Sequence, residues 1–128
     1  MNADDPRFDD LTQRVLGAVF EVSNALKCGF PEKVYERALL RELQLQGIGA
    51  AAQVSFSVRY KGFCVGSYCG DIVVERELLV ELKCVDFLAS EHRAQCLNYL
   101  RVSGLTRCLP VNFQKPRVEW ERLVLSGD

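Results

Sequence analysis

Little in this 128-residue chain points toward a membrane, a secreted setting or a strongly charged partner. No apolar run approaches the ~20 residues that span a bilayer, which excludes a membrane-spanning helix. The first ten residues, MNADDPRFDD, are acidic where a secretory signal is basic and then apolar, so secretion is not expected. There is one His, and no Cys-x-x-Cys pair among Cys28, Cys64, Cys69, Cys84, Cys96 and Cys108. Cys64 and Cys69 lie outside the usual zinc spacing even with His92 added, so a zinc protein fails on spacing. The cysteines are expected to be free, small, buried apolar residues in a reducing cytoplasm. Repeats, low-complexity tracts and linkers are also missing, as one domain over residues 1–128 requires. Charge of one sign is lacking too. Against 17 acidic residues stand 16 basic ones, and a net charge of −1 argues against a dedicated nucleic-acid binder.

What is present is globular. Apolar residues make up 48% of the chain, enough for one core at this length. The charge balance is an average over unlike parts. Residues 1–10 hold four of the acidic residues and one basic, and setting them aside leaves 15 basic against 13 acidic, or +2. That segment is expected to be an acidic, flexible N-terminus. The remainder is compatible with modest, salt-sensitive binding to phosphates.

Apolar residues at Leu11, Val15, Leu16, Val19, Phe20, Val22 and Leu26 have helical spacing and predict a helix over residues 8–27, stopped by Gly29. Pro31 suits the first turn of a second helix running to Gln46, with Gly47 as its stop. Strands are predicted over residues 54–60, 64–74 and 78–85, joined by a Lys61-Gly62 turn and a Glu75-Arg76-Glu77 hairpin. Ser90 is expected to cap a third helix ending near Gly104, followed by strands over 107–113 and 118–125. Pro110 and Pro116 suggest strand edges or ends. The order specifies an α/β domain with a mixed sheet flanked by helices.

The chemistry concentrates in Gly70-Asp71-Ile72-Val73-Val74 and Val80-Glu81-Leu82-Lys83. Alternation along a strand sends Glu81 and Lys83 one way and Val80, Leu82 and Cys84 the other. Charges on so apolar a strand cost desolvation unless something uses them. A tight hairpin would bring Asp71 beside Glu81, and two converging carboxylates suit a hard cation such as Mg²⁺. The bland alternative is a solvated surface strand. On the third helix Gln95 and Tyr99 are four apart and share a face, with His92 one turn earlier. These are groups that position phosphates, although alone Tyr99 reads equally as a packed core residue with its hydroxyl at the rim. On the second helix Glu36 and Glu32 lie at the margin of the apolar stripe and Glu42 nearer its centre. Each is either a contributor to the site or a partner for Arg or Lys.

With these residues in hand, the chain resembles the PD-(D/E)xK nuclease superfamily, and within it the small bacterial proteins called the GxxExxxxY family. The carrying residues are Gly29 with Glu32, Tyr35 and Glu36, then Asp71, Glu81-x-Lys83, and the segment HRAQCLNY from His92 to Tyr99. The resemblance implies a restriction-endonuclease-like core ordered αβββαβ. It implies that Asp71, Glu81 and the helix acid Glu36 bind metal, with Lys83 as the lysine of the E-x-K element. Gln95 and Tyr99 match the Q-x-x-x-Y element of RecB-type exonuclease domains. Gly70 stands where the superfamily's motif has Pro, and a literal GxxExxxxY string does not occur. The implied function is a Mg²⁺- or Mn²⁺-dependent nuclease hydrolysing phosphodiester bonds of nucleic acid, DNA in preference. The alternative is a non-catalytic binding or assembly module on the same fold, as a homodimer.

Overall fold

The computed structural model describes residues 9–125. Asp9 opens the chain's first helix, α1 (Asp10–Leu26), its carboxylate accepting from the Thr12 backbone N–H at 2.8 Å and the Thr12 hydroxyl at 2.7 Å. The same carboxylate meets Arg107 at 2.7 Å and Arg122 at 3.2 Å. The predicted start at Phe8 lies outside the described residues, but Asp9 is an anchored cap and ion-pair partner. Helix α2 (Glu32–Leu45) follows a loop held by Tyr35, whose hydroxyl donates to Lys27 O at 2.5 Å and accepts from the Phe30 N–H at 3.3 Å. The Tyr35 ring stacks on Phe113 at 4.5 Å, so the first turn of α2 is fixed relative to the sheet.

The sheet contains β1 (Ala50–Tyr60), β2 (Phe63–Val74), β3 (Leu78–Lys83), β4 (Arg107–Asn112), β5 (Glu119–Trp120) and β6 (Leu123–Val124); helix α3 (Ser90–Ser103) lies between β3 and β4 in sequence. Strands β1, β2 and β3 pair antiparallel, β3 and β4 parallel, and both β5 and β6 pair antiparallel with β4. The mixed sheet expected from the element order is present. Left-handed Lys61 and Gly62 form the two-residue β1–β2 turn, whose twist suits the flanking strands. Alternation splits the core in two. Ile72, Val74, Val80, Leu82, Leu109 and Val111 pack beneath α1 and α2, while Val73, Leu79 and Cys108 pack against Cys96, Tyr99 and Leu100 of α3.

Several expectations change. Cys28, Cys64 and Cys69 are exposed and Cys84 half-buried, so only Cys96 and Cys108 behave as core residues. The cap of α3 is not Ser90. Ala89 holds that position, and the His92 ring accepts its N–H through Nδ1 at 2.9 Å. Pro110 lies inside the sheet, opposite Glu81, rather than at an edge. It accepts from the Glu121 N–H at 3.1 Å but has no N–H to return, and the single terminal strand expected breaks there into β5 and β6. No helix among the described residues is long and apolar enough to cross a membrane.

Candidate active site

Strands β2 and β3 are in register only from Ile72 opposite Val80 to Val74 opposite Leu78. At the next step Asp71 and Glu81 replace the backbone ladder with their side chains. The Asp71 N–H donates to Glu81 Oε2 at 3.1 Å, and the Leu82 N–H donates to Asp71 Oδ2 at 2.8 Å. The carboxylates are thus side by side where the two strands part, with Glu81 only 6% exposed. Burial, and then the hydrogen bond and negative charge of Asp71, push the Glu81 carboxyl up to about 9. Glu81 therefore keeps its proton at neutral pH, a proton that a bound divalent cation would displace.

Lys83, two positions on, donates from Nζ to Gln95 Oε1 at 3.0 Å, joining β3 to α3. Asp71, Glu81, Lys83 and Gln95 line one cavity of about 510 Å³, together with Glu32 from α2 and Ser67, Tyr68 and Cys69 from β2. A larger groove of about 660 Å³ beside β1 is mainly apolar, lined by Val54, Phe56, Val73 and Leu105, and lacks paired carboxylates.

Two of the sequence-derived site residues lie elsewhere. Glu36 is 7% exposed, and its oxygens are engaged by Lys33 Nζ at 3.1 Å and Gln53 Nε2 at 2.8 Å. No group of three His, Cys, Asp or Glu residues converges among the described residues, so neither Glu36 nor Glu32 completes a three-acid cluster with Asp71 and Glu81. The helix acid at the cavity is Glu32, on the first turn of α2. Glu42 does not line that cavity and accepts from Gln46 Nε2 at 2.8 Å. Tyr99 is 1% exposed and packs in the core stripe with Cys96 and Leu100, one position around the helix from Gln95. Its hydroxyl donates to Val54 O at 2.9 Å, and burial, then the nearby Glu81 charge, hold the phenol at about 12. Tyr99 supports the site from behind. It also accounts for Gly70, because a Cβ there would meet Leu79 Cδ1 at 2.6 Å and Tyr99 Cζ at 2.8 Å.

Gln53 was not anticipated. It has φ +55° within β1 and bridges Glu36 to the Cys69 thiol, which donates to Gln53 Oε1 at 3.2 Å. A left-handed glutamine inside a strand costs energy, and nothing local in the sequence marks it.

A carboxylate pair, a lysine and an amide lie together where two strands of a mixed sheet diverge, setting hard oxygen ligands beside a cationic side chain. The chain belongs to the PD-(D/E)XK nuclease superfamily, whose family model matches residues 9–123. No curated protein matches the sequence. Among solved structures it is similar to a protein described as SSO0001, with TM-score 0.59 and 16% identity over 75% of this chain and 50% of the other. It is also similar to an alkaline exonuclease from Laribacter hongkongensis, with TM-score 0.55 and 14% identity over 97% of this chain and 74% of the other. The chain therefore spans half the length of the first and about three quarters of the second. At these identities the likeness is one of fold.

Proposed function

We propose that the protein is a divalent-metal-dependent nuclease that hydrolyses phosphodiester bonds of DNA, and that it belongs to the GxxExxxxY branch of its superfamily. The observation that carries the reading is the placement of Asp71 and Glu81 at the strand divergence with Lys83 in the same cavity. The donor set fits Mg²⁺ or Mn²⁺: hard carboxylate oxygens, with the Glu81 carboxyl raised in pKa by burial and then by Asp71, and room for water around them. Asp71 and Glu81 hold the cation, and Glu32, which lines the same cavity from α2 without joining them in a three-acid cluster, adds negative charge there. Bound there, the ion supplies Lewis acidity and charge neutralisation.

The chain's own groups do the rest. The Lys83 ammonium donates to a phosphate oxygen and stabilises charge that grows as water attacks phosphorus and one P–O ester bond breaks. Gln95 fixes the lysine through its Oε1 and turns its amide N–H groups to the strand. Tyr99 positions rather than touches, supporting β1 and β2 from within. Six free thiols suit the cytoplasmic setting included in this reading.

The test is cleavage of single-stranded, duplex and branched DNA, and of RNA, with Mg²⁺ or Mn²⁺. Glu81→Ala and Lys83→Ala are each expected to abolish cutting in folded protein, and full activity in both variants overturns the assignment. The homodimeric module remains the second reading because β1 is an edge strand whose residues 50–58 carry no charge to discourage pairing with another copy. It requires a stable dimer by sedimentation and no cutting of any substrate.

A further inference from the structure

A second cavity, of about 430 Å³, adjoins the first and shares Tyr68, Lys83 and Gln95 with it. His92 and Asn98 of α3 line its far side. The internal hydrogen bonds of these residues all run in one sense. Lys83 donates to Gln95 Oε1 at 3.0 Å, which uses the amide's acceptor and leaves its N–H groups. Asn98 Nδ2 donates to the Tyr68 hydroxyl at 3.1 Å, so the phenolic hydrogen is left to give. Asn98 Oδ1 in turn accepts from Arg101 at 2.9 Å. His92 Nδ1 accepts from the Ala89 N–H at 2.9 Å, which puts the ring's proton on Nε2. Acceptors are spent within the protein and donors are left over on Lys83, Gln95, Tyr68 and His92. Glu91, at the exposed rim, is the one carboxylate in the lining.

The two adjoining compartments share the donors Tyr68, Lys83 and Gln95. The first adds the carboxylates of Asp71, Glu81 and Glu32, and the second adds His92 and Asn98, with Glu91 at its rim. A donor-lined cavity without a competing acceptor among its inner groups takes an anion, and the anion adjacent to a scissile phosphodiester is the next phosphate of the same strand. We propose that the second cavity is a subsite for the phosphate neighbouring the one that is cleaved, with Tyr68 and His92 as its specific donors. The strand then passes over the Lys83–Gln95 pair, from the carboxylates toward α3. The proposal rests on the nuclease reading for its substrate and assigns Tyr68 and His92 a role in binding the chain, not in the chemical step.

The test uses Tyr68→Phe, which removes only the hydroxyl, and His92→Asn, which keeps an acceptor for the Ala89 N–H and lacks the distal donor. Two substrates are compared in Mg²⁺: a short single-stranded DNA oligonucleotide and bis(p-nitrophenyl) phosphate, which has one phosphorus and no neighbour. The double variant is expected to raise KM for the oligonucleotide about tenfold with kcat retained. Its rate on bis(p-nitrophenyl) phosphate stays within about twofold of the parent's. Equal losses on both substrates, or no loss on either, overturn the subsite. If the parent protein cuts neither, the nuclease reading fails by itself. Fluorescence anisotropy of the labelled oligonucleotide in Ca²⁺ then decides: about tenfold weaker binding by the double variant supports the subsite, and unchanged binding overturns it.

Discussion

Replacing Glu81 by Gln tests whether the carboxylate pair is the strained centre of the molecule. Glutamine is a lasting mimic of the protonated acid: its oxygen can accept the Asp71 N–H and its amide can donate to the Asp71 carboxylate. In the parent protein without metal, the Glu81 carboxyl lies at about 9 instead of 4.5, through burial and then Asp71. A folded-state pKa raised above the unfolded value means that the folded chain holds the extra proton. The associated stability is complete below pH 4.5 and is lost as pH rises toward 9. The slope is at most about 1.4 kcal/mol per pH unit. Two unit charges ~4 Å apart repel by roughly 4 kcal/mol at an effective dielectric of 20, the same order as the loss across three pH units. With about 4 °C of Tm per kcal/mol at this size, the Tm of Glu81→Gln relative to the parent rises by roughly 8–16 °C between pH 5.5 and 8.5 in EDTA. Adding Mg²⁺ at ten times its Kd stabilises the parent by about 1.4 kcal/mol and leaves the variant unmoved. Differential scanning fluorimetry across pH, with and without Mg²⁺, measures both effects. Parallel Tm–pH curves, or an equal Mg²⁺ response, would mean that Glu81 is not a buried acid set against Asp71.

Other substitutions probe the surrounding framework. Gly70→Ala drives a methyl into Leu79 and a tyrosine ring pinned by its hydroxyl, and is expected to cost about 1–3 kcal/mol in urea denaturation. Tyr99→Phe removes the bond to Val54 O and is expected to cost about 1 kcal/mol while kcat stays near the parent's. A hundredfold fall in kcat in a folded variant would return Tyr99 to the chemistry. Lys83→Met is expected to lose at least about a hundredfold in cleavage rate while keeping the Mg²⁺-induced rise in Tm. Burial raises the Asp9 carboxyl, but hydrogen bonds from Thr12 and Arg107 outweigh it and bring the group to about 2. Its stabilisation is present above pH 3.8 and lost as pH falls toward 2, so Asp9→Asn, which keeps a helix cap, flattens the acid limb of the stability curve by about 1 kcal/mol after solvent screening.

The order of the helices and of strands β1 to β4, the mixed sheet and the proximity of Asp71, Glu81 and Lys83 were legible in the local sequence pattern, whereas the split of the last strand was not. Each depends on short-range rules: apolar periodicity, strand alternation, and a hairpin whose turn dictates which residues face each other. The residual charge was half legible. Asp9 belongs to an acidic opening segment by composition, but its neutralisation by Arg107 and Arg122 comes from the far end of the chain. Packing of the layers, not local pattern, selects the helix acid that meets the cavity. Glu32 and Glu36 differ by one helical turn, and the choice depends on where Tyr35 and Phe113 lock α2 against the sheet. It alone turned Tyr99 inward, since Gln95 and Tyr99 share a face only loosely and the core of α3 runs through Cys96, Tyr99 and Leu100. It alone gave Gln53 its left-handed backbone within β1, put Pro110 in the middle of the sheet and oriented the donors around Lys83. Local pattern says which face of an element is apolar. It does not say what the polar side chains on that face will find opposite them, because their partners arrive from distant segments only when the layers close.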